Sequence, residues 1–272
     1  MGQASREVAR AVVHGAAGRM GRAVVRAIHE RADIALVAAV DRAEGTCLGL
    51  DAGELAGVGP MQVLLAASLR DDLDAQVVID FSASEATEAL ASQAAARGLA
   101  LVVGTTGLEP RAHDALALAA RTVPVVVAAN TSGGVTVLCH LAELATKLLG
   151  SGFDAEIVEM HHNKKLDAPS GTALRLADAV LSARGLDRSA LRTGREGKPG
   201  ARTRDEVGVL ALRGGDVIGD HTLVLAGEGE RVELTHKATD RTLFARGAVR
   251  AASWVLGRPA GLYDMRDVLG LR

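Results

Sequence analysis

In the first half of the chain, apolar runs of strand length alternate with segments of helical period. This alternation restricts the possible folds more than any other feature. The runs are Ala11-Val12-Val13, Ile34–Val40, Gln76–Phe81, Leu99–Val103 and Pro124–Ala128. Helical spacing occupies Arg19–Arg31, Glu85–Arg97 and Ala112–Ala120. Continuously apolar strands suit burial on both faces, and the intervening helices supply the cover. The fold class expected is α/β, with a Rossmann-like parallel sheet domain. After Asn130-Thr131-Ser132-Gly133-Gly134 the rhythm changes. A long helix is predicted over Val135–Leu149, a strand over Phe153–Met160 and a helix over Thr172–Ala183. Thr193–Thr203, rich in Gly, Arg and Lys, has no periodicity and reads as a mobile loop. Strands follow over Glu206–Leu212, Thr222–Ala226 and Arg231–His236, then a last helix over Arg241–Leu256. Strands in succession call for an antiparallel or mixed sheet, so the second domain is expected to be α+β.

Bulk properties exclude several function classes. With 31 Lys and Arg against 33 Asp and Glu, the net charge of −2 gives no electrostatic reason to bind nucleic acid. An aromatic content of 2% leaves little for base stacking. Cys47 and Cys139 are far apart and make neither a disulfide framework nor a metal-binding pair. No apolar run approaches the length of a membrane span. The N-terminal Met-Gly-Gln-Ala-Ser-Arg-Glu-Val has no long apolar stretch, and Arg6 stands where acylation requires Ser or Thr. A soluble, cytoplasmic protein is expected, with no membrane or nucleic-acid partner.

Gly15-Ala16-Ala17-Gly18-Arg19-Met20-Gly21 joins the first strand to the first helix. Its first step is one residue longer than the usual dinucleotide fingerprint, and alone it is a weak signal. In a strand–turn–helix context it acquires meaning: the glycines permit a tight turn and close approach of a pyrophosphate, and the helix start favours its charge. Asp41 ends the second strand, 26 residues beyond Gly15, where a carboxylate grips ribose hydroxyls. Arg42 follows and is suited to a 2′-phosphate. Gly104-Thr105-Thr106 and Ala128-Ala129-Asn130-Thr131 end two further strands, the positions at which open α/β sheets bind ligands.

The segment Glu159-Met160-His161-His162-Asn163-Lys164-Lys165-Leu166-Asp167-Ala168-Pro169-Ser170-Gly171-Thr172 concentrates acid–base groups before a helix. On a strand His161 and His162 point to opposite faces, which argues against a shared metal. Lys165 lies in a turn, where its ammonium can meet a carboxylate or deliver a proton. Ser170-Gly171-Thr172 opens a helix whose free N–H groups can hold an anion. Lys164 reads as a solvated charge. No nucleophile elbow surrounds Ser170.

Together these residues resemble the 4-hydroxy-tetrahydrodipicolinate reductase (dihydrodipicolinate reductase) family, nearly end to end. The likeness runs through Gly15–Gly21, Ile79-Asp-Phe81, Val103–Gly107, Ala128–Asn130, Glu159–His162 and Lys165–Thr172. It continues in Arg195-Glu-Gly197, Thr235–Ala238 and Gly261–Val268. The resemblance implies NADH- or NADPH-dependent reduction of a dicarboxylate on the diaminopimelate route to lysine. It implies His161 as general acid/base, Lys165 as proton donor, and His162, Gly171 and Thr172 as substrate contacts. Gly15 to Met20 would line the pyrophosphate, Asp41 the ribose and Arg42 a 2′-phosphate; residues 104–106 and 128–131 would flank the nicotinamide. It further implies a homotetramer built on the second domain's sheet. The C-terminal segment would return to the first domain, giving 1–130 with 240–272 for the dinucleotide and 131–239 for substrate and oligomerisation. Many relatives have Gly at position 17 and His at position 164, where this chain has Ala17 and Lys164.

The chemistry asks for these groups. Hydride adds to a ring carbon conjugated with a C=N bond, and a nearby cation such as Lys165 stabilises the developing charge. Two other readings share part of this pattern: a nicotinamide dehydrogenase acting on an amino-acid-derived aldehyde or keto acid, and a non-catalytic nucleotide sensor. The latter has no use for both His161 and Lys165 beside an anion-binding helix start. Asp41 favours NADH and Arg42 favours NADPH, so the cofactor choice stays open.

Overall fold

The structure, a computed structural model, describes residues 8–271. Residues 1–7, which carry most of the N-terminal segment that bears on secretion and acylation, lie outside the described residues. In chain order the elements are β1 (Ala9–His14), α1 (Arg19–His29), β2 (Ile34–Val40), α2 (Ala52–Ala56), β3 (Leu65–Ala66) and β4 (Val77–Asp80). Then come α3 (Ser84–Arg97), β5 (Ala100–Val103), α4 (Pro110–Ala119), β6 (Pro124–Val127), α5 (Gly133–Leu149), β7 (Asp154–His161) and α6 (Gly171–Arg184). The chain ends with β8 (Leu191–Arg192), β9 (Val207–Arg213), β10 (Gly219–Ala226), β11 (Arg231–Ala238), α7 (Thr242–Val255), β12 (Gly261–Tyr263) and α8 (Met265–Leu269). They form two compact units: residues up to Ser132 with those from Thr242 onward, and Gly133–Arg241.

The first unit is a seven-stranded sheet in the order β12-β6-β5-β4-β1-β2-β3, and every pairing is parallel. The period-2 alternation of a strand sends neighbouring residues to opposite faces. Ala11, Val13, Ile79, Val102 and Val126 pack on one face with Val24 and Ile28 of α1 and Ala248, Val249 and Ala252 of α7. Val12, Val78, Leu101 and Val125 pack on the other with Leu90 and Ala94 of α3 and Leu116 of α4. Both faces are covered, which is why these strands read as unbroken apolar runs. Each fully buried Val, Ile or Leu contributes about 1.5–3 kcal/mol, so this burial dominates over local propensity.

The second unit is a mixed five-stranded sheet in the order β11-β10-β7-β9-β8. β10 runs antiparallel to β7 and β11, whereas β9 is parallel to β7 and to β8. Ala155, Ile157, Val209, Leu223 and Leu225 point to one face, where Leu138 and Ala142 of α5 and Leu176 and Val180 of α6 cover them. The pattern predicts this architecture, but not the short elements α2, β3, β8, β12 and α8, which span too few residues to show a period. β10 begins at Gly219 rather than Thr222, because pairing with β11 starts at Gly219 opposite Ala238.

Candidate active site

At the carboxyl end of β1, the backbone turns at Gly15 with φ +77°, a left-handed conformation that suits glycine. A Cβ at Gly15 would lie 2.5 Å from the Phe81 carbonyl oxygen, and one at Gly21 would lie 2.1 Å from the Gly15 oxygen. Bare backbone at both places lets α1 start tight against the turn. Gly18 caps α1 without any side-chain hydrogen bond. A cavity of about 670 Å³ opens here, lined by His14, Gly15, Ala17, Gly18, Asp41, Arg42, Phe81 and Ser82 among others. Asp41 accepts the Ala17 N–H at 2.7 Å and the Arg42 N–H at 2.9 Å, so the carboxylate is tied to the glycine turn. Arg42 is exposed on the cavity's edge. Ala16 is buried, Met20 packs against the core, and Arg19 is exposed at the helix start.

Beneath this cavity lies Asp80, fully buried at the end of β4. Its carboxylate takes four hydrogen bonds: His14 Nδ1 at 2.7 Å, Ser82 Oγ at 2.6 Å, Thr87 Oγ1 at 2.6 Å and Thr105 Oγ1 at 2.8 Å. Burial alone would raise its pKa, but the bonds from His14, Ser82 and Thr87 outweigh that and hold it below the usual range. Thr105 Oγ1 also accepts the Ser82 N–H at 3.0 Å, so its side chain braces the loop after β4. A Cβ at Gly104 would strike the Phe81 ring at 2.2 Å, which accounts for glycine there. Thr106 is exposed. After β6, Ala128 is buried, Ala129 is exposed, and Asn130 Oδ1 accepts the Ser132 N–H at 2.9 Å. Thr131 Oγ1 donates to the Phe244 carbonyl at 2.6 Å. Residues 104–106 and 128–131 thus stand at strand ends, outside the residues that line the cavity.

In the second unit, alternation along β7 brings Glu159 and His161 to the buried, helix-covered face. His161 Nδ1 lies 2.5 Å from Glu159 Oε2. Arg213, at the end of β9, grips both Glu159 oxygens at 2.9 and 3.0 Å, and the Ser170 N–H donates to Oε1 at 3.0 Å. Burial works against the Glu159 charge, yet Arg213, His161 and the Ser170 N–H hold its pKa below the ordinary value. Ser170 caps α6 by accepting the Ala173 N–H at 3.1 Å, while its Oγ meets His221 Nε2 at 3.0 Å. Burial, and then the neighbouring His161, push the His221 pKa down to about 4. Gly171 at the first turn is exposed, with open space around it, and its N–H has no protein partner among the described residues. Thr172 is half-buried beside it.

Lys165 Nζ pairs with Asp167 at 2.7 and 2.8 Å, which lowers the Asp167 pKa. Strand β7 ends at His161, so His162 lies just past the ladder rather than on its opposite face. Its Nε2 accepts from Arg241 at 3.0 Å; burial, followed by Arg241, lowers its pKa. Lys164 is exposed. Among the described residues no group of three or more His, Cys, Asp or Glu could hold a metal ion. The second unit therefore places a buried imidazole, an ammonium paired with Asp167, and a helix start whose Gly171 N–H has no protein partner among the described residues on neighbouring elements.

The comparisons with known proteins decide the family. Residues 9–131 match the family "Dihydrodipicolinate reductase, N-terminus", and residues 134–269 match "Dihydrodipicolinate reductase, C-terminus". The chain belongs to the dihydrodipicolinate reductase family. It is 51% identical over 263 residues to the 4-hydroxy-tetrahydrodipicolinate reductase of Anaeromyxobacter dehalogenans, covering 96% of this chain and 97% of that one. It is 48% identical over 266 residues to the protein of the same name from Myxococcus xanthus, covering 97% and 98%. The dipicolinate-bound dihydrodipicolinate reductase from Paenisporosarcina sp. TG-14 shares the fold, with a TM-score of 0.76 and 23% identity over 94% of this chain and 97% of that one. GenD2 from gentamicin A biosynthesis, solved with NAD, also shares it, with a TM-score of 0.60 and 16% identity over 100% and 93%.

Sequence reasoning attached no role to Asp80, Glu159, Arg213, His221 or Arg241, while Ser170 is the cap its place before the helix predicts. Two of these carried a usable signal. Asp80 ends an apolar strand opposite His14 in register, and Glu159 stands two residues before His161, on the same strand face. Arg213, His221 and Arg241 come from distant segments with no local mark.

Proposed function

We propose that this dihydrodipicolinate reductase family member converts 4-hydroxy-tetrahydrodipicolinate to tetrahydrodipicolinate, losing the hydroxyl as water and adding a hydride from NADH or NADPH with a proton, on the diaminopimelate route to lysine. One observation carries the reading: His161, Lys165 and the start of α6 are joined through Glu159, Arg213 and Asp167. The names of the relatives and the dipicolinate held by the structural neighbour support a dicarboxylate substrate.

The first unit fits a dinucleotide. Its glycine turn leaves no room for a Cβ at residues 15 and 21, a helix start faces the turn, and Asp41 and Arg42 border the cavity. Residues 15–20 would hold the pyrophosphate, Asp41 the ribose and Arg42 a 2′-phosphate, with residues 104–106 and 128–131 flanking the nicotinamide. When bound, the nicotinamide supplies the hydride; the protein supplies geometry and electrostatics. Asp41 and Arg42 together support use of both cofactors.

In the second unit, the Gly171 N–H and the α6 dipole receive one substrate carboxylate, with Thr172 and His162 beside it. Lys165 gives up Asp167 for the substrate's negative charge and releases a proton from Nζ as reduction makes the ring nitrogen basic. His161 exchanges its proton at Nε2. Holding these groups in place converts a multi-body encounter into an oriented one, a large part of the rate. We propose a cytoplasmic location for this biosynthetic reductase. We also propose a homotetramer built on the second unit's sheet, supported by the partly exposed Val158, Met160 and Val224 on the face away from α5 and α6. Light scattering tests that assembly. The function is tested by NAD(P)H consumption when the substrate is generated in situ by its upstream synthase. A rate equal to the substrate-free blank would overturn the reading.

A further inference from the structure

Glu159 is fully buried, and its two oxygens are used four times. An ion pair withdrawn from water is retained at a net gain only when its remaining hydrogen-bond positions are filled. Here two positions are filled from elements that carry site groups, β7 and the α6 start, and the other two by Arg213 of β9. Oε2 meets His161 Nδ1 at 2.5 Å and Arg213 at 2.9 Å; Oε1 receives the Ser170 N–H at 3.0 Å and Arg213 at 3.0 Å. The Arg213 guanidinium then donates to the Asp167 carbonyl at 2.7 Å, in the turn that holds Lys165. One carboxylate–guanidinium pair therefore touches the end of β7, the lysine turn and the start of α6.

We propose that Glu159 and Arg213 are positioning residues. They fix His161 as the Nδ1–H tautomer, with Nε2 as its exchanging nitrogen, and hold the lysine turn and the α6 start in register with it. The proposal rests on the reductase reading of His161 and Lys165. Its physical basis is proton bookkeeping. An ionised carboxylate has no hydrogen to give, and Arg213, His161 and the Ser170 N–H keep Glu159 ionised despite its burial. The hydrogen between Glu159 and His161 therefore sits on Nδ1. In the neutral ring this leaves Nε2 bare, able to take up a proton and return it.

The surroundings keep that nitrogen clear. A Cβ at Gly219 would come within 3.0 Å of His161 Nε2, so glycine at this strand start leaves it room. His221 meets the His161 ring edge-on at 5.2 Å, and with a pKa near 4 it adds no charge at neutral pH. A pair that served only to fasten β7 to β9 would have no need to engage the helix cap, the imidazole and the lysine turn at once.

The test uses the full-length protein with NADPH bound and histidine rings labelled with ¹⁵N. At a pH where His161 is neutral, the wild-type spectrum should show the Nδ1–H tautomer. Glu159→Gln should give a mixed or inverted tautomer and lower kcat by about ten- to a hundredfold, the scale seen when a metal-ligating histidine loses its orienting partner. Arg213→Met should likewise lower kcat and weaken binding of dipicolinate, the dicarboxylate probe. Both variants should bind NADPH within about twofold of wild type, since a hydrogen bond's worth of affinity is several-fold larger. A wild-type His161 in the Nε2–H form would overturn the proposal even if neither variant folds, and so would wild-type kcat in Glu159→Gln. A wild-type enzyme that shows the Nδ1–H tautomer but reduces no substrate would instead overturn the reductase reading.

Discussion

Replacing Asp80 by Asn removes one charge and almost no volume, yet the structure makes it a severe change. Oδ1 accepts from His14 Nδ1 and Ser82 Oγ, and Oδ2 accepts from Thr87 Oγ1 and Thr105 Oγ1. Bonds to a charged acceptor contribute about 1.5–3 kcal/mol each, and neutral ones about 0.5–1.5. Converting four such bonds costs about 5 kcal/mol, and relief of the buried carboxylate's desolvation returns part of this, leaving about 3 kcal/mol. For a chain of this size the melting temperature should fall by about 6–12 °C. The pH dependence carries a definite sign. Because the folded pKa of Asp80 lies below the ordinary value, its stabilisation is present above that value, near pH 4, and is lost as pH falls through the lower folded pKa. The gap in Tm between wild type and Asp80→Asn should therefore narrow as pH falls below about 4. Scanning calorimetry across that range is the assay. A shift under about 2 °C at neutral pH, or a gap that widens below about pH 4, would refute the reasoning.

Lys165→Ala and His161→Ala should each cut turnover by about a hundredfold or more while the fold persists, the scale of acid–base contributions; steady-state rates near wild type would remove both from the chemistry. Arg42→Ala should weaken NADPH more than NADH in direct titrations, and equal losses would show that Arg42 does not read the 2′-phosphate. Gly15→Ala forces a side chain into a left-handed backbone with a Cβ 2.5 Å from the Phe81 carbonyl oxygen. Dinucleotide binding should then weaken by at least about tenfold, since such strain costs about 1–3 kcal/mol; unchanged calorimetric affinity would contradict the cradle.

The architecture was legible because burial leaves its mark on composition. Strands covered on both faces, such as β4 and β5, must be apolar throughout, and the mixed sheet showed itself in three strands following without helices between them. Short elements escaped because β3 and β12 are too brief to show a period. At the candidate site, the residues proposed to meet ligands sit in compact local motifs, so Gly15, His161, Lys165 and Gly171 could be picked out in the sequence. Their supports could not. Arg213 is 54 positions from Glu159, and His221 is 51 from Ser170, and only the register of β7 with β9 and β10 brings them together. The reading of Asp41 as a ribose ligand missed its bond to the Ala17 N–H, because a turn's backbone donors leave no trace in side-chain identity.

The proposed reaction moves a hydride from a nicotinamide onto the ring of a dicarboxylate. The most direct measurement supplies NADPH carrying deuterium at the transferring position of its nicotinamide and follows the product by mass spectrometry. Tetrahydrodipicolinate bearing the deuterium on a ring carbon, formed by wild type and strongly diminished in Lys165→Ala, is the predicted result. Oxidised cofactor with no deuterium in the product, or no product at all, would contradict it.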